Sequence, residues 1–241
     1  MIEEGVGILR EAIPLYMRFL VAVGYFDLRS LEEAKALAGT SPTGTAYVTY
    51  GFWQPLRREL ARKNAKFWPL VVEELPHERA KQYFIAHGLN DRLVEDMTAT
   101  DINFLKRFMS THWVGEVEAE KMLRESAICA PSRIKRIVRT ERTKARNGSA
   151  LERGIEKGYT HKTWVCAGDE RSRKHHRARD GSKVRINEPF PATGGVPVMF
   201  PGDGPAFECV NCRCRLILSR EESDDHEAEG KIQVSETEER L

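Results

Sequence analysis

Apolar side chains recur at helical spacing along the first half of the chain. In residues 1 to about 38 they fall three or four positions apart, at Val6, Leu9, Ile13, Met17 and Leu20. This spacing places them on one face of a helix. Similar stretches run between residues 52 and 126, and their aromatic side chains are expected in a core: Phe67, Trp68, Phe84, Phe104, Phe108 and Trp113. Residues 39–45 have the composition of a loop.

A basic amphipathic helix is predicted to begin at Pro131-Ser132, with Ser132 as its cap, and to end near Gly158. Its apolar face consists of Ile134, Ile137, Val138, Ala145, Leu151 and Ile155. The opposite side carries Arg133, Arg136, Arg139, Arg142, Lys144 and Arg146. Such a face is commonly just solvated, but this density of cations equally suits DNA or an acidic protein surface.

After Tyr159 the pattern changes to short strand-like runs, predicted at 162–166, 183–187 and 215–218. Turn signals such as Asp180-Gly181 and Gly194-Gly195 separate them. The sequence therefore predicts an α+β fold, with a mostly helical N-terminal region and a small C-terminal α+β module of short antiparallel strands. The predicted organisation is a helical region at 1–130, the module at 131–218 and an acidic, disordered tail at 219–241.

Composition narrows the class of protein. The chain has 241 residues, enough for one or two domains with a substantial core. It has no uncharged apolar run of about 20 residues, so we expect no membrane span, and we also expect no secretory leader. Residues 133–185 hold 17 Lys and Arg against 6 Asp and Glu, whereas residues 219–241 hold 3 against 9. A basic middle suits a polyanionic partner, and an acidic tail is typical of interaction segments.

The cysteines and one histidine form a candidate zinc site. The odd number of five cysteines favours a reducing compartment over a disulfide scaffold. The candidate ligands are Cys166, His176, Cys209, Cys212 and Cys214. Cys209-x-x-Cys212 has the spacing that lets two thiolates of a turn reach one ion. Two alternatives stay open: the cysteines pack as small apolar groups while His176 bonds Asp169 or Asp203, or Cys166 forms a disulfide with Cys212 or Cys214.

Opposite charges alternate over residues 169–180. One interpretation is an internal network that joins Arg171 or Arg173 to a carboxylate, because buried charges must be paired. Its candidate carboxylates are Asp169, Glu141 and Glu208. The other interpretation is phosphate contact by the cations of the block. We favour the internal network, and we assign Lys174, Arg177 and Arg179 to an exposed basic patch that binds nucleic acid.

Three motif blocks lie in order in this half of the chain. The first contains Ile137-Val138-Arg139-Thr140-Glu141, followed by Ala145 and Asn147. The second contains Trp164, Asp169, Arg171, Arg173, His176, Asp180-Gly181 and Phe190. The third contains Pro201, Asp203, Glu208 and Asn211-Cys212-Arg213-Cys214. Together, over about residues 132–216, they resemble the phage head morphogenesis family, the Mu F-like minor head proteins.

The resemblance implies a virion component near the portal vertex that passes through the host cytoplasm during assembly. Its implied role is head assembly, DNA packaging or DNA ejection, without enzyme activity. The implied partners are portal protein, other capsid or scaffolding proteins and phage DNA. The residues expected in a structural network are Arg139, Glu141, Trp164, Asp169, Arg171, Arg173, His176, Asp180 and Asn211. The alternative is a zinc-dependent nucleic-acid-binding module or nuclease outside a capsid, although the recognised catalytic motifs are absent from the sequence.

Overall fold

The computed structural model describes residues 1–27, 31–37, 46–112 and 114–220. The predicted loop at 39–45 and Trp113 lie outside the described residues, as does the predicted acidic tail beyond Arg220. Within the described ranges, no helix combines the length and the apolar character needed to cross a membrane.

Helices make up most of the described chain. They are α1 (Ile2–Arg10), α2 (Ile13–Ala22), α3 (Leu31–Leu37), α4 (Ala46–Asn64), α5 (Trp68–Glu73), α6 (Glu78–Ala86), α7 (Leu89–Thr111), α8 (Glu116–Glu125), α9 (Pro131–Glu156), α10 (Lys174–Ala178) and α11 (Ala206–Cys209). Short 3-10 turns occupy Tyr25–Asp27 and Ala127–Cys129.

The strands lie near the C-terminal end of the described chain, close to their predicted positions. They are β1 (His161–Val165), β2 (Lys183–Arg185) and β3 (Arg215–Ser219). They form one antiparallel sheet in the order β2-β1-β3, in which Lys162 of β1 lies opposite both Val184 and Leu218. A helical region followed by a small antiparallel sheet confirms the predicted α+β fold.

Two apolar clusters hold the helices together. One lies among α2, α4, α7 and α8 and includes the fully buried Leu20, Leu60 and Leu105. The other lies among α1, α5, α6, α7 and α9 and includes Phe84 and Ile134. Since the first half of α9 contributes to this second cluster, residues on both sides of position 130 share one core. The domain boundary predicted at residue 130 therefore stays a prediction from the sequence.

The start of α9 differs from the prediction. The helix is capped at Ala130 with no side-chain hydrogen bond, so Ser132 is not the cap. Arg133, predicted on the solvated side, is only 4% exposed, and its Nη2 donates to Asp101 Oδ1 at 2.7 Å. Asn64 Nδ2 donates to the other oxygen of Asp101 at 3.0 Å. Position 133 is buried because α7 supplies a carboxylate there, which the local charge pattern does not reveal. At the other end, the predicted apolar-face residue Ile155 is 49% exposed.

The second half of α9 supports the sheet and the loops beside it. Asn147 Nδ2 donates to the carbonyls of Pro201 and Cys214 at 2.8 and 3.1 Å, and its Oδ1 accepts from Leu216 N at 3.1 Å. At Gly154 the helix lies so close to the sheet that an added Cβ would be 2.5 Å from Leu218 Cδ1. The chain segments around residues 201 and 214 are therefore fixed to α9 by one buried amide.

Candidate functional site

Residues 157–220, called the C-terminal lobe below, surround a small apolar core. This core consists of Trp164, Phe190, Val198, Cys212 and Cys214. Side chains alternate along β1, so Lys162 and Trp164 both point inward. Because a small core buries little apolar surface, hydrogen bonds and ion pairs must contribute much of the lobe's conformational specificity.

An ion pair between Arg179 and Glu208 lies at the centre of the lobe. Arg179 Nη1 donates to Glu208 Oε2 at 2.8 Å and Nη2 donates to Oε1 at 3.1 Å. The guanidinium also donates to three carbonyls at 2.7–2.8 Å, those of Pro191, Ala192 and Val196. Such a two-pronged, charge-assisted pair fixes geometry as well as charge.

The assignment of Arg179 to an exposed basic patch is therefore wrong. Its side chain is 0% exposed, and its guanidinium lies 5.2 Å from the centre of the Trp164 ring. The one-turn helix α10 ends just before this residue, which caps it and points inward, whereas Lys174 and Arg177 on the same turn stay exposed. Only the latter two remain candidates for phosphate contact.

Both oxygens of the Glu208 carboxylate have several donors. Besides Arg179, Val196 N donates to Oε1 at 2.9 Å and His176 Nε2 lies 3.0 Å from Oε2. Burial by itself raises the pKa of Glu208, but the hydrogen bonds from Arg179, Val196 and His176 outweigh it and lower the pKa to about 2. A Cβ on Gly195 would lie 2.0 Å from Oε1, so this close approach requires glycine.

His176 connects this carboxylate to two thiols. Its Nδ1 lies 3.5 Å from Cys214 Sγ and 3.8 Å from Cys212 Sγ. An ionised carboxylate at Nε2 favours the tautomer that carries its proton there, which leaves the Nδ1 lone pair facing the sulfurs. His176 thus bonds Glu208 rather than Asp169 or Asp203, the partners considered from the sequence.

The five candidate metal ligands separate in the fold. His176 Nδ1, Cys212 Sγ and Cys214 Sγ all lie within 4.8 Å of one another. Cys166 is partly buried and packs against the same cluster. Cys209 is buried in different surroundings, among the charges of Lys144, Glu141 and Asp96, and the structure does not bring it into this group. All five cysteines are free thiols, so the disulfide alternative is not what the structure contains.

The two neighbouring thiols differ in acidity. The hydrogen bond between them lowers the pKa of Cys212 and, together with burial, raises the pKa of Cys214 to about 12.

The charged block at 169–180 forms contacts, but with partners other than those predicted. Arg213 makes the two-pronged pair with Asp169, with Nη2 donating to Oδ1 at 2.7 Å. Ser172 Oγ donates to the same oxygen at 3.0 Å. Arg173 donates to the carbonyl of Val210, and Arg171 is exposed. The prediction that Arg171 or Arg173 pairs with a carboxylate is wrong, because the segment before β3 places Arg213 beside Asp169.

The remaining predicted network residues fall into two groups. Asp180 Oδ1 accepts from Cys166 N at 2.7 Å, and Asn211 N donates to Thr140 Oγ1 at 3.0 Å. Asn211 has a φ of 58°, a left-handed conformation that asparagine tolerates. Glu141 is buried, and burial raises its pKa against the opposing charge of Lys144. Arg139, by contrast, is exposed on α9 and lies outside the lobe's interior.

Sequence reasoning missed several residues of the site. Arg213 and Asn147 lie inside the motif blocks, so membership of a block was the available signal, although their partners could not be read from it. Glu208 was predicted as a network carboxylate for Arg171 or Arg173, but its partner is Arg179. No feature of the sequence indicated that Lys162 is part of the lobe's interior. Its Nζ is buried without a hydrogen-bond partner, 5.4 Å from the centre of the Phe190 ring, and burial lowers its pKa to about 8.

The exposed cations of α9 form a second surface. Lys135, Arg136, Arg139 and Arg142 are all exposed and are called the α9 cationic stripe below. Positions 135, 139 and 142 repeat at three- and four-residue spacing, which keeps them on one side of the helix. Within the described ranges, none of these four side chains pairs with a carboxylate.

Comparison with known proteins identifies the segment that contains both features. Residues 114–217 match the family described as Phage Mu protein F like protein. This match confirms the resemblance predicted from the motif blocks: the segment is similar to this family. It includes every lobe residue of the buried network and the whole α9 cationic stripe.

A curated relative has a different printed function. The NAD(+)--arginine ADP-ribosyltransferase EFV of Enterococcus faecalis (strain ATCC 700802 / V583) is 25% identical over 205 residues, which cover 79% of this chain and 40% of that protein. The chain therefore spans well under half the length of this relative. No solved structure matches the chain significantly.

Proposed function

We propose that the chain is a phage minor head protein located near the portal vertex of the virion. There it acts in head assembly, DNA packaging or DNA ejection, through contacts with portal protein, other head proteins and phage DNA. The observation that carries this proposal is the Mu F-like match over residues 114–217. Several of the motif residues, among them Trp164, His176 and Glu208, lie in one buried network, which supports a three-dimensional module rather than a chance pattern.

Burial of the site favours binding over catalysis. His176, Cys212 and Cys214 are between 2% and 4% exposed, so they offer very little surface to a substrate. A catalytic metal keeps an open coordination position and a nucleophile needs access, which weighs against the nuclease alternative. A match to 79% of the chain necessarily includes most of residues 114–217. The match covers only 40% of that relative, so we do not assign its transferase activity to this chain.

The α9 cationic stripe supports contact with DNA. Its side chains are exposed and have no carboxylate partners among the described residues, so they can approach phosphates without first breaking ion pairs. Each phosphate contact releases condensed counterions from DNA, which makes the affinity fall with salt concentration. The charge of residues 133–185, with 17 basic against 6 acidic side chains, provides the surrounding positive field.

A charge-matched pair of variants tests the DNA contact. The first replaces Arg136, Arg139 and Arg142 by Ala. The control replaces Arg57, Arg58 and Arg62 of α4, which are also exposed but lie outside residues 114–217. Both remove the same charge, so a general electrostatic effect changes both alike. Titration of double-stranded DNA over a salt series should give a log–log slope reduced by up to about 3 for the stripe variant alone, at roughly 0.9 per lost phosphate contact. Equal slopes in the two variants would remove the stripe from the DNA surface.

Association with the portal is tested separately. The chain is co-expressed with the portal and capsid proteins of the same phage, and assembled heads are isolated by sedimentation. We expect the chain to co-sediment with heads that contain portal and to be depleted from heads assembled without it. Equal recovery in both kinds of head would contradict a position at the portal vertex.

A further inference from the structure

Three ligand atoms of the C-terminal lobe are already spaced as a tetrahedral metal site requires. With metal–ligand distances of about 2.0–2.3 Å, tetrahedral geometry separates nitrogen and sulfur ligands by roughly 3.5 Å and two sulfur ligands by roughly 3.8 Å. His176 Nδ1 lies 3.5 Å from Cys214 Sγ and 3.8 Å from Cys212 Sγ. All three atoms fit within 4.8 Å of one another. We propose that His176, Cys212, Cys214 and Cys166 hold one structural zinc ion.

The orientation of His176 supports this proposal. A metal-binding histidine ordinarily donates its other ring N–H to a carboxylate, which fixes the ring and its tautomer. Here Glu208 Oε2 lies 3.0 Å from His176 Nε2, and Arg179 donates to both oxygens of Glu208 and holds it in place. The imidazole therefore presents the Nδ1 lone pair to the sulfurs through contacts that do not depend on a metal.

The backbone explains how Cys212 and Cys214 converge, although residues two apart on a strand would diverge around a small ion. Both precede β3, in an irregular segment that α9 holds by two hydrogen bonds. Thr143 Oγ1 donates to the Cys212 carbonyl at 2.7 Å, and Asn147 Nδ2 donates to the Cys214 carbonyl at 3.1 Å. These contacts bring both sulfurs to the same side, facing His176.

Cys166 is the candidate for the fourth position. It directly follows β1, packs against the cluster that contains Cys212 and Cys214, and has its backbone N–H bound by Asp180 Oδ1 at 2.7 Å. Three cysteines and one histidine are a common ligand set of closed structural zinc sites. Thiolate and imidazole together select zinc over the hard cations magnesium and calcium.

A second arrangement of possible ligands is less suitable. His175, His176 and Glu208 also lie close together. However, Glu208 already receives two bonds from Arg179 and one from Val196, so a cation there would face a buried guanidinium. On the sulfur side of His176 the charge of Arg173 acts on Cys212, but its guanidinium is bonded to the Val210 carbonyl and not to a ligand atom.

Metal analysis of the full chain tests the proposal, using protein purified without a polyhistidine tag from zinc-supplemented cells. Elemental analysis should give about one zinc per chain, consistent with a single tetrahedral site. Cobalt replacement should produce thiolate-to-cobalt charge-transfer absorption and the visible bands of tetrahedral cobalt. Protein with no bound zinc and no cobalt spectrum would overturn the proposal, and it would leave the proposed head function untouched because the two rest on different observations.

Single cysteine variants locate the site. Cys212→Ser and Cys214→Ser should lose bound zinc, and Cys166→Ser should weaken its retention against a chelator at least tenfold. Cys209→Ser and Cys129→Ser are the matched controls, since both remove a buried thiol outside the group. Circular dichroism identifies variants that fail to fold. If Cys212→Ser or Cys214→Ser does not fold, the ligand set is decided instead from the cobalt spectrum of the Cys166→Ser variant. Loss of zinc in Cys209→Ser equal to that in Cys212→Ser would contradict the assignment.

Discussion

Arg179 and Glu208, 29 positions apart in sequence, form a two-pronged ion pair in which neither residue is more than 1% exposed. Arg179 follows α10 and Glu208 lies in α11. Because Arg179 also binds the carbonyls of Pro191, Ala192 and Val196, one side chain joins three segments of the C-terminal lobe. His176 extends the same network to the thiols of Cys212 and Cys214.

Breaking this pair should destabilise the lobe strongly. Glu208→Gln leaves the buried guanidinium of Arg179 without a counter-charge, which costs about 3–5 kcal/mol in comparable buried pairs. The control is Glu170→Gln, a neutralisation on the surface of the same lobe. Urea unfolding followed by circular dichroism measures both free energies of unfolding. A difference below about 0.5 kcal/mol between the two variants would contradict a stabilising role for the pair.

The same carboxylate should make stability depend on pH in the acid range. The pKa of Glu208 falls from 4.5 to about 2 on folding, so the unfolded chain binds this proton more readily. The stabilisation is present above pH 4.5 and is lost as the pH falls towards 2. Wild-type chain should lose on the order of 3 kcal/mol more than Glu208→Gln across this window. Parallel stability curves for the two proteins would show that another group is responsible.

Lys162 should be a site where removal of charge stabilises the fold. Its Nζ is buried without a hydrogen-bond partner, and its pKa is lowered from 10.5 to about 8. Lys162→Met keeps the length of the side chain and should raise the free energy of unfolding at pH 7 by about 1–3 kcal/mol. Lys183→Met, at an exposed position of β2, is the control and should have little effect.

The pH dependence at Lys162 has the same sign as that at Glu208, because both pKa values fall on folding, but it lies in the alkaline range. Between pH 8 and 10.5 the unfolded chain binds the Lys162 proton and the folded chain does not, so wild-type stability should rise relative to Lys162→Met in this window. A constant difference between the two proteins from pH 7 to 10.5 would mean that Lys162 titrates normally.

Gly148 is expected to be required for the contact between α9 and α6. An added Cβ would lie 2.2–2.5 Å from the Tyr83 side chain, so Gly148→Ala should lower the free energy of unfolding by about 1–3 kcal/mol. Gly7→Ala in α1 is the control, since nothing lies within 4 Å of the added carbon. There the higher helix propensity of alanine should stabilise by up to about 1 kcal/mol. Equal thermal shifts in the two variants would show that Tyr83 moves away without cost.

The sequence predicted the elements better than their partners. The helical spacing of Leu9, Ile13 and Leu20 and the alternation around Trp164 are local features, so the helices and strands could be anticipated. The sequence could not show which charged side chains are buried. Arg133 and Arg179 resemble their neighbours Arg136 and Arg177, and they differ only because Asp101 and Glu208 lie opposite them, 32 and 29 positions away.

The ligand geometry of the candidate metal site depended on tertiary contacts in the same way. From spacing alone, Cys209 and Cys212 formed the better pair, whereas Cys212 and Cys214 were expected to diverge. The structure reverses this preference because Thr143 and Asn147 of α9 hold the two carbonyls. These side chains lie about 70 positions upstream, so no local motif reports their effect.

The proposed function places this chain in the phage head close to the portal. Cross-linking mass spectrometry of purified procapsids and DNA-filled heads, from the phage that encodes the chain, tests this placement. We expect cross-links between the chain and portal protein, with far fewer copies of the chain than of the major capsid protein. Particles that contain portal but lack the chain at both stages would contradict it.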